Sequence, residues 1–208
     1  MRVNVLIDNL LVKNLVVFAS GSGSNMEVLA RYFADSLLAT VSAVVCNKPG
    51  AGVIERAGKL GIPVVMVNRQ QLYQEGQLPE ILLPLRPDLL ILAGFLWLIP
   101  ENVIKAYSGR IINIHPALLP AYGGKGMFGM NVHKAVIEAG EHYSGISIHQ
   151  VNEQYDDGEL LFQQALRLHP GETPESLAER IHELEHYYFP RVVEAFLNGK
   201  RLSPTPAK

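Results

Sequence analysis

The sequence predicts an α/β fold: an open, mainly parallel twisted sheet with helices on both faces and two late strands that extend it antiparallel or flank it. Three observations predict it. Short aliphatic and β-branched runs alternate with longer helical patterns along the 208 residues. The strand candidates recur about every 20–25 residues, the spacing of successive βα units. After residue 114 the texture shifts to a Gly- and Pro-rich loop, a short helix and two alternating runs, the pattern of an antiparallel addition.

Taken in order, strands are expected at 15–19, 42–46, 64–67, 89–93 and 110–114. The helices between them are expected at 24–35, 52–60, 72–85 and 100–107, with Pro100 suited to a first helical turn. A loop covers 116–129 and a short helix 131–139; the alternating runs 145–151 and 160–168 flank the turn-like Tyr155-Asp156-Asp157-Gly158. A final amphipathic helix covers 173–198, opened by Thr173 with Ser176 at the third position and bent at Pro190. Residues 14–208 read as one domain and 1–13 as an extension of unassigned order.

At 48% apolar, 18% charged and a net charge of -2, the chain is neither disordered nor supercharged, and it lacks the broad basic surface that tracks nucleic-acid phosphates. Its single cysteine, Cys46, excludes an intramolecular disulfide framework and a cysteine-rich zinc site, and fits a reducing compartment, by default the cytoplasm. The apolar window 81–100 is broken by Pro84, Arg86, Pro87 and Asp88, short of the roughly 20 residues a spanning helix needs, and reads as buried core. Asp8 and Lys13 divide the apolar start and no A-x-A-like cleavage site follows, so no membrane span and no secretory signal is expected.

Val16-Val17-Phe18-Ala19-Ser20-Gly21-Ser22-Gly23-Ser24-Asn25 reads as a strand entering a small-residue turn and then a helix. Glycine lets the backbone approach an anion, and the free N–H groups of the helix start hold it. The same pattern also suits any tight βα turn. A dinucleotide fingerprint is disfavoured, because its third glycine falls at Met26 and the second strand ends in Cys46-Asn47 without an acid. No Gly-Lys-Ser/Thr follows, so the turn is not a P-loop either.

Asn113 and His115 are two apart at the end of a parallel strand, so both side chains share a face of the sheet beyond its carboxyl edge. An amide N–H donates to a developing oxyanion, and an imidazole moves protons near neutral pH. A lone strand-end histidine is more often simply buried and satisfied, and the Asn pairing tilts that balance. Asp156 belongs to an acidic turn; if close to His115, its carboxylate would favour the imidazolium and orient the ring. His142 and His169 sit in polar turns, and His182 and His186, one helical turn apart, read as a solvated or structural face because no H-E-x-x-H motif accompanies them. His133 and His149 are candidate pocket-lining residues.

Four motifs then fall in order: Gly21-Ser22-Gly23-Ser24-Asn25, Leu92-Ala93-Gly94-Phe95-Leu96, Asn113-Ile114-His115-Pro116-Ala117-Leu118-Leu119-Pro120, and Asp156 ahead of Gly158. Together they resemble the phosphoribosylglycinamide formyltransferase family, folate-dependent enzymes of purine biosynthesis, over residues 15–198. The resemblance implies a Rossmann-like formyltransferase fold, with transfer of the formyl group of 10-formyltetrahydrofolate to the primary amine of glycinamide ribonucleotide. That attack is direct, with no protein nucleophile and no metal. It implies Asn113, His115 and Asp156 as the catalytic trio: Asn113 and protonated His115 on the oxyanion, Asp156 raising the His115 pKa and helping to organise water for proton transfer. It implies Gly23, Ser24, Asn25 and Glu185 on the ribonucleotide. Arg69, Leu96, Trp97, Leu98, Ile99, Asn113, Asn152, Glu153, Gln154, Tyr155 and Asp156 fall on the folate side, Ser147 and His149 lie near the trio, and the Leu119-Pro120 bond matches one that is cis in the family.

The segment from Pro120 to Met130 is longer than in many family members, Asn131 stands where His is frequent, and Asp157-Gly158 follows Asp156 in place of Gly-Gly. Neighbouring readings are a 10-formyltetrahydrofolate hydrolase or a methionyl-tRNA formyltransferase, each calling for a further domain that a chain of this length is not expected to hold. A noncatalytic phosphate- or nucleotide-binding α/β module is the reading from another class. Neither nucleic acid nor a membrane is an expected partner, and the oligomeric state is not legible.

Overall fold

The computed structural model describes residues 12–74 and 76–203; most of the extension 1–13 lies outside them. Its sheet has seven strands in the order β3-β2-β1-β4-β5-β6-β7: β1 Lys13–Phe18, β2 Ala39–Cys46, β3 Val64–Met66, β4 Leu89–Leu92, β5 Ile111–His115, β6 Tyr143–Gln150 and β7 Leu160–Arg167. The first five pair in parallel, and β6 and β7 continue the sheet antiparallel, the first of the two arrangements left open by the sequence.

Alternation along the central strands explains why both faces are covered. Leu15 and Val17 of β1 and Leu89 and Ile91 of β4 feed one core, while Val16, Phe18, Leu90 and Leu92 feed the other. Onto the first core pack α1 Ser24–Tyr32, α2 Gly52–Lys59, α6 Met130–Glu138 and α7 Pro174–Leu197, through side chains such as Leu29, Val53, Val136 and Ile181. Onto the second pack α3 Arg69–Tyr73, α4 Gln77–Leu82 and α5 Glu101–Ala106, through Leu72, Leu78 and Val103. Each fully buried Leu or Phe here contributes on the order of 1.5–3 kcal/mol.

The expected helix 72–85 is instead two short helices and a 3-10 turn, Leu83–Leu85. Asn68 starts α3 early through a reciprocal cap with Gln71, Gly76 at φ 82 separates α3 from α4, and Pro84 tightens the end. Pro100 caps α5 from outside the helix in extended conformation, one place before its expected position. At α7 the Thr173 hydroxyl accepts from the Ser176 N–H at 3.2 Å, whereas Ser176 Oγ donates to Glu172, so only half of a capping box forms. The helix runs without a break through buried Pro190. Leu119-Pro120 is cis. No described helix is long and apolar enough to cross a membrane.

Strand order reverses at β1 and β4, which are neighbours whose onward connections diverge, so a crevice opens at their carboxyl ends. Buried Ser20 pins those ends. Its N–H donates to Gly94 O at 3.1 Å, and its hydroxyl donates to Asn47 Oδ1 at 2.6 Å and accepts the Leu96 N–H at 3.0 Å.

Where β6 meets β7 a Cβ on Gly145 would lie 2.1 Å from Gln164 O and 2.6 Å from the Leu118 side chain. Gly145→Ala is expected to spread the strands and cost roughly 2 kcal/mol or more, seen as a lower urea midpoint; an unchanged midpoint would contradict the contact.

Candidate active site

A cleft of about 650 Å³ runs over the carboxyl ends of β1, β4 and β5, between the turn 21–25 and the loop 124–129. At one end Gly23 takes a left-handed conformation, φ 80 and ψ 17, and starts α1 with no side-chain cap, leaving the first N–H groups of the helix without a side-chain acceptor. A Cβ on Gly23 would fall 2.6 Å from the Val53 backbone and side chain. Packing on α2 therefore requires this glycine, and the uncapped helix start beside it is compatible with the anion reading of the turn. A larger residue at position 23 drives into α2 rather than into the cleft.

Asn25 Nδ2 donates to Glu185 Oε2 at 2.8 Å, joining α1 to α7 at the cleft wall. Glu185 is only 5% exposed, and burial raises its carboxyl to about 7 against the opposing hydrogen bond from Asn25. Asn25 Oδ1 is buried with no hydrogen-bond partner among the described residues.

At the other end the three residues expected to act together do meet. Gly158 brings the 156 loop against β6: a Cβ there would lie 1.7 Å from Gln150 O. Asp156, at φ 52, accepts Asn113 Nδ2 at 3.2 Å on Oδ1 and the Gly124 N–H at 2.9 Å on Oδ2. Its Oδ2 lies 3.7 Å from His115 Nδ1, and its Oδ1 lies 3.6 Å from His149 Nε2. The antiparallel register sets His149 opposite Asn113. His149 Nδ1 lies 2.8 Å from Gln150 O, and its Nε2 lies 3.1 Å from Asn113 Nδ2. His115 Nε2 correspondingly donates to Tyr122 O at 2.8 Å.

The electrostatics correct one expectation. Burial pushes the His115 pKa down, and although Asp156 and the Tyr122 carbonyl oppose it, the result lies below the ordinary 6.5. Asp156 does favour the imidazolium, but loss of water outweighs it and the ring is neutral near pH 7. Burial raises the Asp156 carboxyl, yet contact with His149 and His115 and the Gly124 N–H hold it below its ordinary value, so it stays ionised.

Of the residues expected on the folate side, Leu96, Asn113, Tyr155 and Asp156 line the cleft. Trp97 and Arg69 lie outside its lining, stacked with the guanidinium 5.5 Å from the ring centroid. Ile99 departs further, being buried in the second core beside Val103. Leu98 is half-buried, and Asn152, Glu153 and Gln154 form a turn in which Asn152 Oδ1 accepts the Gln154 N–H. His182 is exposed and also borders the cleft, a setting that i,i+4 spacing leaves open because it fixes a shared face without saying what that face meets.

The cleft also takes in Lys48, Lys125 and His133, of which only His133 had been singled out. Lys125 sits among four glycines between 123 and 129, a signal that was available. Buried His133 is lowered to about 4, first by burial and then by His182 and His115. Among the described residues no group of three or more His, Cys, Asp or Glu is arranged to hold a metal ion.

The family profile described as "Formyl transferase" matches residues 13–193. Over 189 residues the chain is 43% identical to a chloroplastic phosphoribosylglycinamide formyltransferase of Arabidopsis thaliana, spanning 88% of this chain and 65% of that protein. It is 36% identical to the phosphoribosylglycinamide formyltransferase of Bacillus subtilis (strain 168), spanning 89% of this chain and 95% of that one. The crystal structure of glycinamide ribonucleotide transformylase 1 from Geobacillus kaustophilus superposes with a TM-score of 0.81 at 36% identity, covering 89% and 99% of the two chains.

A carboxyl raised from 4.5 to about 7 binds more protons folded than unfolded between those values, so Glu185 subtracts stability as pH rises through that window. Glu185→Gln is expected to remove that dependence, a gain of about 3 kcal/mol relative to wild type between about pH 5 and pH 8, read by urea unfolding. Equal pH slopes in the two proteins would show that Glu185 ionises at no extra cost.

Proposed function

The chain belongs to the formyl transferase family, and from that premise we propose that it transfers the formyl group of 10-formyltetrahydrofolate to the primary amine of glycinamide ribonucleotide, in purine biosynthesis. One observation carries the reading: a single cleft joins an uncapped helix N-terminus at 23–25 to the Asn113, His115 and Asp156 cluster. The first suits a phosphate and the second suits acyl transfer. Glu185 and Asn25 then flank the ribonucleotide. The 95–99 segment and the 152–156 loop flank the folate, with Arg69 and Trp97 outside the cleft lining. We assign residues 14–208 to one catalytic domain and, on the single buried cysteine, a reducing compartment such as the cytoplasm.

The substrate amine attacks the formyl carbon directly. As the carbonyl oxygen gains charge, the Asn113 N–H serves as its donor, turning from its Asp156 and His149 partners to reach it, and His115 adds its positive charge once it is protonated. A neutral His115 fits this task, because the growing negative charge offsets the desolvation that keeps the ring unprotonated. His115 takes the amine proton as the new C–N bond forms, so the imidazolium, paired with Asp156, is favoured in the transition state and not before it. As the bond between the formyl carbon and the folate nitrogen breaks, the same proton passes from His115 to that nitrogen through water near Asp156, and the ring returns to its neutral form.

Purified protein given 10-formyltetrahydrofolate is expected to release tetrahydrofolate only when glycinamide ribonucleotide is present; equal release without it would overturn the reading. His115→Ala and Asp156→Asn are each expected to lower kcat by about 100-fold or more, with ribonucleotide affinity nearly unchanged. A near-wild-type kcat in either variant would remove that residue from the mechanism.

A further inference from the structure

We propose that Arg56 of α2 is a positioning residue that aims the Ser22-Gly23 peptide, and so sets affinity for the phosphate-bearing substrate without entering the chemistry. The inference rests on the phosphate reading of the turn 21–25.

A trans peptide points its C=O and N–H in opposite directions. Two successive carbonyls of the turn are held on the α2 side: Gly21 O accepts the Val53 N–H at 3.1 Å, and Ser22 O accepts Arg56 Nε–H at 3.0 Å. The N–H groups of Ser22 and Gly23 are therefore directed away from α2, and both residues line the cleft. Rotated the other way, the same peptide would present a carbonyl dipole to the anion. The approach is close enough that a Cβ on Gly52 would lie 3.1 Å from Ser22 O.

Arg56 is itself fixed. Its Nη1 pairs with Glu27 of α1, and Glu27 also holds Arg31 at 2.8 Å. The two guanidinium hydrogen bonds keep the Glu27 carboxyl below its ordinary pKa, so the anchor stays charged. The Glu27 N–H in turn donates to Gly23 O at 3.0 Å. Arg56 makes the two contacts from separate nitrogens of a rigid planar fork, Nε to the Ser22 carbonyl and Nη1 to the Glu27 carboxylate, whereas lysine would have to make both from one point-like Nζ on a flexible stem. With 43% of the Arg56 side chain exposed, its charge is screened and the directed hydrogen bond is what remains.

The test is steady-state kinetics with both substrates varied, together with calorimetric binding of inorganic phosphate, on wild type, Arg56→Met, Arg56→Lys and Glu27→Gln. In Arg56→Met the KM for ribonucleotide is expected to rise about tenfold, with kcat and the folate KM within about twofold, and phosphate to bind about tenfold more weakly. Arg56→Lys should keep most of that loss, and Glu27→Gln, which frees the anchor, should raise the same KM about threefold. Wild-type behaviour of Arg56→Lys would assign the effect to charge alone and overturn the proposal. So would a fall in kcat, an equal rise in both KM values, or unchanged phosphate binding. If Arg56→Met does not fold, Arg56→Lys and Glu27→Gln decide by the same criteria. If wild type shows no ribonucleotide-dependent turnover the proposed activity fails, and phosphate binding alone then decides the role of Arg56.

Discussion

The buried hydroxyl of Ser20 is the knot on which the site hangs. It ties the loops after β1, β2 and β4 through Asn47 and the Leu96 N–H. Those loops carry the glycine turn 21–25 in one direction and the apolar 95–99 segment in the other. Because both faces of the central strands are occupied by apolar side chains, polar chemistry has nowhere to go but the strand ends. A donor–acceptor link that fixes how those ends sit relative to one another therefore fixes the crevice.

The same scarcity of water sets the charges. Desolvation works against His115 and Glu185 as ions, whereas Asp156 keeps its charge because a backbone N–H and two imidazoles surround it. One permanent anion beside one neutral base is a poised arrangement. Under the proposed reaction, charge is withheld from the ring until a counter-charge develops next to it, so stabilisation falls on the transition state and little is spent on the resting cleft.

Much of this was legible along the chain. Apolar runs marked the parallel strands most clearly where both faces are buried, as in β1 and β4, while edge β3 is only half-buried, and the Asn113, His115 pairing followed from a period of two. The helix expected at 72–85 failed at Gly76, where a left-handed residue outweighs an apolar periodicity that continues past it. Asn47, noted only for lacking a charge, turns out to brace Ser20. Ile99 shares an apolar segment with Leu96, yet one points into the core and the other into the cleft. That exposed His182 also borders the cleft was not legible, because periodicity assigns faces and not neighbours. The contact of Asp156 with Asn113 joins residues 43 apart through the β6 register, which no local pattern encodes.

The Asn25–Glu185 bond has a different reach, since it closes a span of 160 residues at the wall of the cleft. The first helix and the last are thereby two jaws of one clamp. Whatever settles against both favours the docked state of α7 and disfavours its release, by an amount set by ligand concentration over dissociation constant. Occupancy of the cleft thus becomes resistance to unfastening of the chain from its C-terminal side, and a working enzyme is harder to unravel or digest than an idle one.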